Sequence, residues 1–250
     1  KGFNMLFTKY VNKNTDYTSY ENLKKNFSIS IPENFNFAYD IADEYAKNEP
    51  NRQALVWCDD NDSERFFTFS DLKLASDKTA NFLVKHGITK GDAVMLILRR
   101  RYEFWFFLLA LHKIGAIAVP ATTQLLQKDI EYRNNAAKIK MIVSLDNSEL
   151  QEQIELALKN SPTVESLVTI GKQKNNWISF SDEYDSLSEN FIRPTGKEAS
   201  SNKDIMLLYF TSGTSGYPKM VQHNFTYPLG HIVTAKYWQK VIDGGLHLTV

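Results

Sequence analysis

The sequence is short of cysteine, of net charge and of long apolar runs. It holds one cysteine, Cys58, so an intrachain disulfide is excluded, which fits a reducing compartment and predicts a cytoplasmic location. The formal net charge is zero, so bulk electrostatics favours neither nucleic acid nor an anionic membrane as a partner. The longest apolar run, residues 104–111, is far below the roughly 20 residues that span a bilayer, and we expect no transmembrane segment.

The histidines, the cysteine and the acidic residues show no pattern of a metal or thiol site. The five histidines lack metal-ligand spacing, and His223 and His231 are interpreted as structural. Cys58 lies in an apolar, strand-like run, so a buried small side chain is favoured over a nucleophile. The acidic stretch 59–63 lacks the glycine and the downstream glutamate of a calcium loop, and it is interpreted as the tip of a hairpin.

Short apolar runs alternate with helical patterns along most of the chain. Strands are predicted at residues 53–58, 66–69, 93–98, 116–119, 141–144, 166–170 and 205–210. Helices are predicted at residues 37–47, 70–85, 102–113, 128–137, 149–159 and 227–241, with Ser70 as a cap and a last strand from 246. The alternation predicts an α/β fold with a mostly parallel sheet and flanking helices. Residues 1–35 are predicted to be an irregular lead-in, and residues 36–250 are predicted to form the α/β domain.

The most informative stretch, residues 209–222, reads Tyr-Phe-Thr-Ser-Gly-Thr-Ser-Gly-Tyr-Pro-Lys-Met-Val-Gln. A predicted buried strand leads into a loop of glycines and hydroxyls, and Lys219 closes the loop. Gly213 and Gly216 let the backbone approach a ligand closely. The candidate phosphate-binding residues are Thr211, Ser212, Gly213, Thr214, Ser215, Gly216, Tyr217, Pro218 and Lys219. Hydroxyls, backbone N–H groups and a positive charge together favour binding of phosphate oxygens.

Two other interpretations of this stretch fit less well. A Walker A loop requires a second glycine and a magnesium-binding hydroxyl, but Pro218 and Met220 occupy those positions. A flexible linker would account for the serines, threonines and glycines. However, a linker has no need for Pro-Lys at a fixed offset or for a buried strand before it.

The loop resembles the signature phosphate loop of adenylate-forming enzymes, the superfamily that contains acyl-CoA synthetases, peptide-synthetase adenylation domains and luciferase. Its pattern, Tyr-x-Thr-Ser-Gly-Thr-Ser/Thr-Gly-x-Pro-Lys, is met at every specified position from Tyr209 to Lys219. Residues 111–120 resemble the family's helix–glycine–strand–proline segment. Residues 121–124, Ala-Thr-Thr-Gln, resemble the medium-chain acyl-CoA synthetase branch, although Thr122 and Thr123 would equally serve as a cap of the next helix.

The resemblance implies an acid–thiol ligase, an enzyme that joins a carboxylic acid to a thiol and uses ATP, Mg²⁺ and CoA. In such enzymes a small carboxylic acid attacks the α-phosphorus of ATP, and CoA then displaces AMP to give acyl-CoA. The loop residues would hold the β- and γ-phosphates, with Lys219 as the catalytic cation. Their task would be orientation and electrostatic stabilisation.

Several family features do not appear in this sequence. The Tyr-Gly-x-Thr-Glu segment, the ribose-binding aspartate and the terminal lysine domain are missing, so the chain resembles an N-terminal part and is expected to be inactive alone. Exposed apolar surface at its end predicts self-association. Two alternatives stay open: adenylation that loads a carrier-protein thiol, and a domain that binds nucleotide or a partner without catalysis.

The three arginines at 99–101 follow a predicted strand at its carboxyl end, where open α/β sheets usually bind ligands. They could meet an anionic substrate. A solvated loop is the favoured interpretation.

Overall fold

The structure is a computed structural model that describes residues 9–12, 18–212 and 216–248. Its strands are β1 (Gln53–Cys58), β2 (Glu64–Thr68), β3 (Ala93–Ile97), β4 (Ile117–Pro120), β5 (Ile139–Leu145), β6 (Ser166–Ile170), β7 (Ile178–Ser179), β8 (Ile205–Thr211) and β9 (Lys219–Asn224). Its α-helices are α1 (Tyr20–Asn26), α2 (Glu44–Asn48), α3 (Phe69–Lys85), α4 (Glu103–Ile114), α5 (Gln127–Ala137), α6 (Ser148–Ala157), α7 (Phe180–Tyr184) and α8 (Tyr227–Gly230). Short π-helices cover Ala38–Asp43 and Thr234–Trp238, and short 3₁₀ turns cover Leu158–Asn160 and Gly196–Glu198.

Seven strands form one sheet in the order β7-β6-β5-β3-β4-β8-β9. All neighbours are parallel except β8 and β9, which pair antiparallel. The predicted α/β fold with a mostly parallel sheet is therefore confirmed. Because the strands are parallel, the carboxyl ends of β3, β4, β5 and β8 lie at one edge of the sheet.

Helices cover both faces of this sheet, as parallel strands require. Strand β3 is buried at every position, and its side chains alternate between two apolar clusters. Val94 and Leu96 pack with α3 and α4 on one face. Met95 and Ile97 pack with α5 and α6 on the other. No helix in the described part of the chain is long and apolar enough to cross a membrane.

Helix α3 starts at Phe69, and its cap lies two residues before the predicted one. Thr68, not Ser70, caps it: the Thr68 hydroxyl accepts from the N–H of Asp71 at 3.1 Å. The Asp71 carboxylate in turn accepts from the N–H of Thr68 at 2.8 Å. This reciprocal pair satisfies two donors at the helix start, which a serine inside the first turn would leave open.

The hairpin β1–β2 forms as predicted, but the predicted burial of Cys58 is wrong. Cys58 is exposed. It pairs with Glu64 at the turn end of the two-stranded sheet, outside the main sheet and its covering helices. An apolar run thus indicated the strand correctly without indicating how deeply its last residue is buried.

The end of the chain also differs from the prediction. The helix predicted over 227–241 is broken into α8 and a separate π-helical turn, with Gly230 at the break. Glycine carries a conformational cost inside a helix, which favours an end at that position. Residues 246–248 are irregular, and the rest of the strand predicted there lies outside the described residues.

The described part of the lead-in 1–35 holds more structure than the prediction of an irregular segment. Ser19 caps helix α1, and its hydroxyl accepts from the N–H of Asn22 at 3.1 Å. Tyr10 is buried and lies edge-on to Phe35, with 5.6 Å between the ring centroids. Both residues share an apolar cluster with Leu229, so the lead-in packs on the rest of the domain.

A buried ion cluster joins α3 and α4. The side chains of Lys113 and Asp77 are fully buried, with Lys113 Nζ 2.6 Å from Asp77 Oδ1 and 2.9 Å from Asp43 Oδ1. Burial raises the pKa of Asp43, while the Lys113 ammonium opposes that shift. Lys113 thus bridges two carboxylates, and the partly exposed Lys73 pairs with the other oxygen of Asp77.

Replacing Lys113 should be far more harmful than replacing a surface lysine. Lys113→Met leaves Asp43 without its ion-pair partner and Asp77 with Lys73 alone, and we expect a loss of about 3–5 kcal/mol in the free energy of unfolding. The control is Lys140→Met, since Lys140 pairs at 2.9 Å with Asp92 and both side chains are about a quarter exposed. That change should cost at most about 1 kcal/mol. Urea unfolding measures both losses, and equal losses would show that the buried ion pairs contribute no more stability than an exposed pair.

The neighbouring residue His112 is also buried, and it makes the free energy of unfolding depend on pH. Its ring is buried, and neither ring nitrogen has a hydrogen-bond partner among the described residues. Burial lowers the pKa of His112 from 6.5 to about 4. The folded chain therefore keeps this imidazole neutral at pH values where the unfolded chain protonates it.

Stability should consequently fall as the pH drops from about 6.5 to about 4, because only the unfolded state takes up the proton in that window. Over this range the wild type should lose on the order of 3 kcal/mol more than His112→Leu. Urea unfolding at several pH values measures the difference. A pH dependence that is the same in the wild type and in His112→Leu would contradict the assignment to His112.

Candidate functional site

The candidate site lies where β8 ends and β9 begins, at the carboxyl edge of the parallel sheet. The two strands form an antiparallel hairpin whose last pair is Thr211 with Lys219. The Thr211 hydroxyl donates to the Lys219 carbonyl at 3.4 Å. The predicted loop residues Gly213, Thr214 and Ser215 lie outside the described residues. The remaining loop residues therefore start and end on two adjacent strands of a rigid sheet.

The described loop residues face solvent. Thr211, Ser212, Gly216, Tyr217 and Lys219 are exposed, and Pro218 is half-buried. Gly216 has φ +124°, a backbone conformation that residues with a Cβ rarely adopt. A Cβ at this position would meet no atom within 4 Å. Glycine is thus required by backbone conformation and leaves the space in front of the loop open.

Lys219 supplies a positive charge at this edge. It is exposed, and no acidic side chain in the described ranges lies within ion-pair distance of it. An ammonium group without an internal partner at the end of a loop of hydroxyls suits an anion with several oxygens. The described residues therefore fit a phosphate chain.

Tyr132 on α5 touches the loop on both sides and was missed by the sequence analysis. Its hydroxyl donates to the Pro218 carbonyl at 2.9 Å. Its ring stacks on Tyr217 with 4.6 Å between centroids and 18° between planes, and lies edge-on to Phe210 at 6.1 Å. A tyrosine in an amphipathic helix carries no signal of such a contact, so only the fold reveals it.

The family of the chain follows from comparison with known proteins. Residues 42–246 match the AMP-binding enzyme family. The chain belongs to this family. It is 32% identical over 231 residues to human mitochondrial acyl-coenzyme A synthetase ACSM3 and 35% identical over 217 residues to human mitochondrial acyl-coenzyme A synthetase ACSM4. These alignments cover 89% and 83% of the chain but only 38% and 36% of the relatives, so the chain spans less than two-fifths of their length.

Solved structures agree on the fold. The anthranilate CoA ligase AuaEII in complex with anthranoyl-AMP superposes with a TM-score of 0.69 at 27% identity, covering 83% of this chain and 38% of that one. A Brucella canis acyl-CoA synthetase gives the same TM-score at 24% identity, covering 80% and 35%. The expected likeness to adenylate-forming synthetases is confirmed, and the likeness again concerns the first part of a longer enzyme architecture.

At the same edge of this AMP-binding chain, the three arginines differ in what they bind. Arg101 donates to both carboxylate oxygens of Glu103, at 2.9 and 2.6 Å, which holds the pKa of the guanidinium above its ordinary value. Arg99 is exposed, has φ +50° and makes no ion pair with any described residue. The preference for a solvated loop holds for Arg99, while Arg101 is a structural residue that sequence alone did not distinguish.

A cavity of about 300 Å³ lies between the ends of β3 and β4, beside Arg99. It is lined by Leu96, Leu98, Arg99, Phe104, Pro120, Ala121 and Thr122. The alternative that Thr122 caps α5 is wrong, because its hydroxyl accepts from the N–H of Gln124 at 3.3 Å. The Asp129 carboxylate accepts from the N–H of Leu126 at the start of α5 instead. Residues 121–124 thus stay at the sheet edge of the AMP-binding fold.

Two histidines near the loop contact the ring of Tyr227. His223 lies 3.9 Å from Tyr227 between ring centroids, and His231 lies 4.5 Å from the same ring. No group of three or more histidine, cysteine, aspartate or glutamate side chains that could hold a metal ion occurs in the part of the AMP-binding chain that the structure describes.

Proposed function

We propose that the chain is the N-terminal, phosphate-binding part of an ATP-dependent, AMP-forming acyl-CoA synthetase. The enzyme would join a carboxylic acid to ATP, giving an acyl-adenylate and pyrophosphate, and then transfer the acyl group to the CoA thiol with release of AMP. The observation that carries the proposal is the position of Lys219. It is exposed, has no acidic partner among the described residues, and lies at the start of β9, beside the carboxyl end of β8.

The residues of this chain would act by position and charge. The hydroxyls of Thr211 and Ser212 and the Lys219 ammonium would hold the β- and γ-phosphates, and Thr214 and Ser215 extend the set by resemblance. Charge builds on the pyrophosphate oxygens as the bond to the α-phosphorus breaks, and positioned donors stabilise it there. Mg²⁺, when bound with ATP, supplies further charge neutralisation. Its protein ligand would come from a segment outside this chain.

The substrate class is proposed from the relatives. They are named as acyl-coenzyme A synthetases, and one solved neighbour is a CoA ligase in complex with an acyl-adenylate. The Ala-Thr-Thr-Gln stretch at residues 121–124 supports a short- or medium-chain acid. ATP and CoA would be the co-substrates.

Lys219→Ala should slow the first half-reaction of the full-length enzyme selectively. Loss of a charge-assisted contact worth about 1.5–3 kcal/mol corresponds to roughly 10- to 150-fold in the rate of acyl-adenylate formation. Thioester formation from a supplied adenylate should change little, because pyrophosphate has already left. Rapid-quench measurement of each half-reaction separates the two effects.

The matched control is Lys203→Ala, an exposed lysine just before β8 at the opposite edge of the sheet. It should leave both half-reactions at the wild-type rate. Equal slowing of both half-reactions by Lys219→Ala would refute the proposed role of this lysine.

The 250-residue chain alone should not make acyl-CoA. It corresponds to 38% of the length of human ACSM3, and it lacks the magnesium-binding glutamate segment and the terminal lysine domain of the family. Catalysis requires reacting groups held within about 0.5 Å of their working geometry. The measurement is pyrophosphate release from ATP with straight-chain acids from acetate to dodecanoate. Turnover near the rate of the full-length enzyme would contradict the proposal.

A further inference from the structure

One side chain outside the β8–β9 hairpin, that of Tyr132, contacts residues at both ends of the phosphate loop. Tyr132 lies in the middle of α5, a helix packed on the sheet through the fully buried Ile130. Its half-buried ring meets Phe210 before the loop and Tyr217 after it. The adjacent Arg133 places its guanidinium carbon 5.1 Å from the centre of the Phe210 ring. Helix α5 therefore contacts both stems of the loop.

The hydrogen bond of Tyr132 reaches the peptide group next to Lys219. The Tyr132 hydroxyl donates to the Pro218 carbonyl at 2.9 Å, and this carbonyl belongs to the peptide that joins Pro218 to Lys219. On the other side, the Thr211 hydroxyl donates to the Lys219 carbonyl at 3.4 Å. The backbone of Lys219 is thus held from its preceding peptide by α5 and from its own carbonyl by β8. Proline at 218 restricts the same segment further, because its φ is fixed.

We propose that Tyr132 is a positioning residue for the phosphate loop, which locks the stem Tyr217–Lys219 so that the Lys219 ammonium is presented to the leaving pyrophosphate. The proposal deepens the proposed function and rests on it. Tyr132 itself makes no contact with the phosphates. Because the stack and the hydrogen bond are formed before any ligand binds, the ordering cost of the stem is met within the protein and does not weaken ligand binding.

Two substitutions separate the two contacts. Tyr132→Phe keeps the stack on Tyr217 and removes the hydrogen bond to Pro218, while Tyr132→Leu removes both. The matched control is Tyr39→Phe, because Tyr39 is also half-buried and its hydroxyl also donates to a backbone carbonyl, that of Lys113, at 3.2 Å. That contact joins the π-helix Ala38–Asp43 to the C-terminal end of α4, away from the loop.

The first measurement is hydrogen exchange of the 250-residue chain, followed on peptides from the β9 segment. Tyr132→Phe should speed exchange at residues 217–221 by about 2- to 10-fold, as expected for the loss of one hydrogen bond. Tyr132→Leu should speed it further, and Tyr39→Phe should leave it unchanged. Exchange at these residues that is the same in all four proteins would overturn the proposal.

The second measurement is a double-mutant cycle in the full-length enzyme, on the rate of acyl-adenylate formation. If Tyr132 acts by positioning Lys219, then Lys219→Ala should slow this step several-fold less in the Tyr132→Leu background than in the wild type. Thioester formation from a supplied adenylate should be unaffected by Tyr132→Leu. A purely structural role would slow both half-reactions and give independent effects of the two substitutions, which would overturn the proposal.

The outcomes also separate this inference from the proposed function. A full-length enzyme that forms no adenylate with any acid refutes the proposed function, and hydrogen exchange then decides alone whether Tyr132 locks the stem. Normal adenylation with independent effects of Tyr132 and Lys219 refutes the inference and leaves the proposed function intact.

Discussion

The structure depends on one constraint: the parallel strands must be covered on both faces. Strand β3 shows this most clearly, because every one of its residues is buried and its side chains alternate between helices α3 and α4 on one face and α5 and α6 on the other. Covered parallel strands all end at one edge, so that edge is the natural place for a ligand. Strand β8 joins the sheet beside β4, which puts the start of the proposed phosphate loop at that edge.

The same constraint explains why α5 becomes part of the site. Helix α5 connects β4 to β5 and packs on the same face of the sheet as α6, and its Tyr132 reaches the hairpin that β8 forms with β9. Tyr132 is on the part of α5 that meets this hairpin, while Ile130 faces the sheet. Helix α5 thus both buries one face of the sheet and contacts the loop.

Much of this could be predicted from the sequence, because the signals were local. Continuous apolar runs marked the strands, with Ser166–Ile170 matching its predicted bounds, and the glycine, hydroxyl and lysine spacing marked the loop. What failed depended on tertiary contacts. The exposure of Cys58 depends on β1 lying outside the main sheet, and the role of Tyr132 depends on residues 86 positions away in the chain. The length of the last helix and the identity of the residue that caps α3 depend on contacts that the periodicity of apolar residues does not describe.

Lys219 combines two roles that most residues keep separate. Its backbone closes the β8–β9 ladder, whereas its side chain is exposed and makes no ion pair with any described residue. A change of the side chain therefore leaves the ladder bonds in place, and the altered protein would escape the quality control that removes unstable chains. Variants at this position would accumulate to normal levels in a cell, whereas variants at buried charges such as Lys113 would lower the amount of protein. Cellular abundance alone would distinguish damage to the chemistry from damage to the fold.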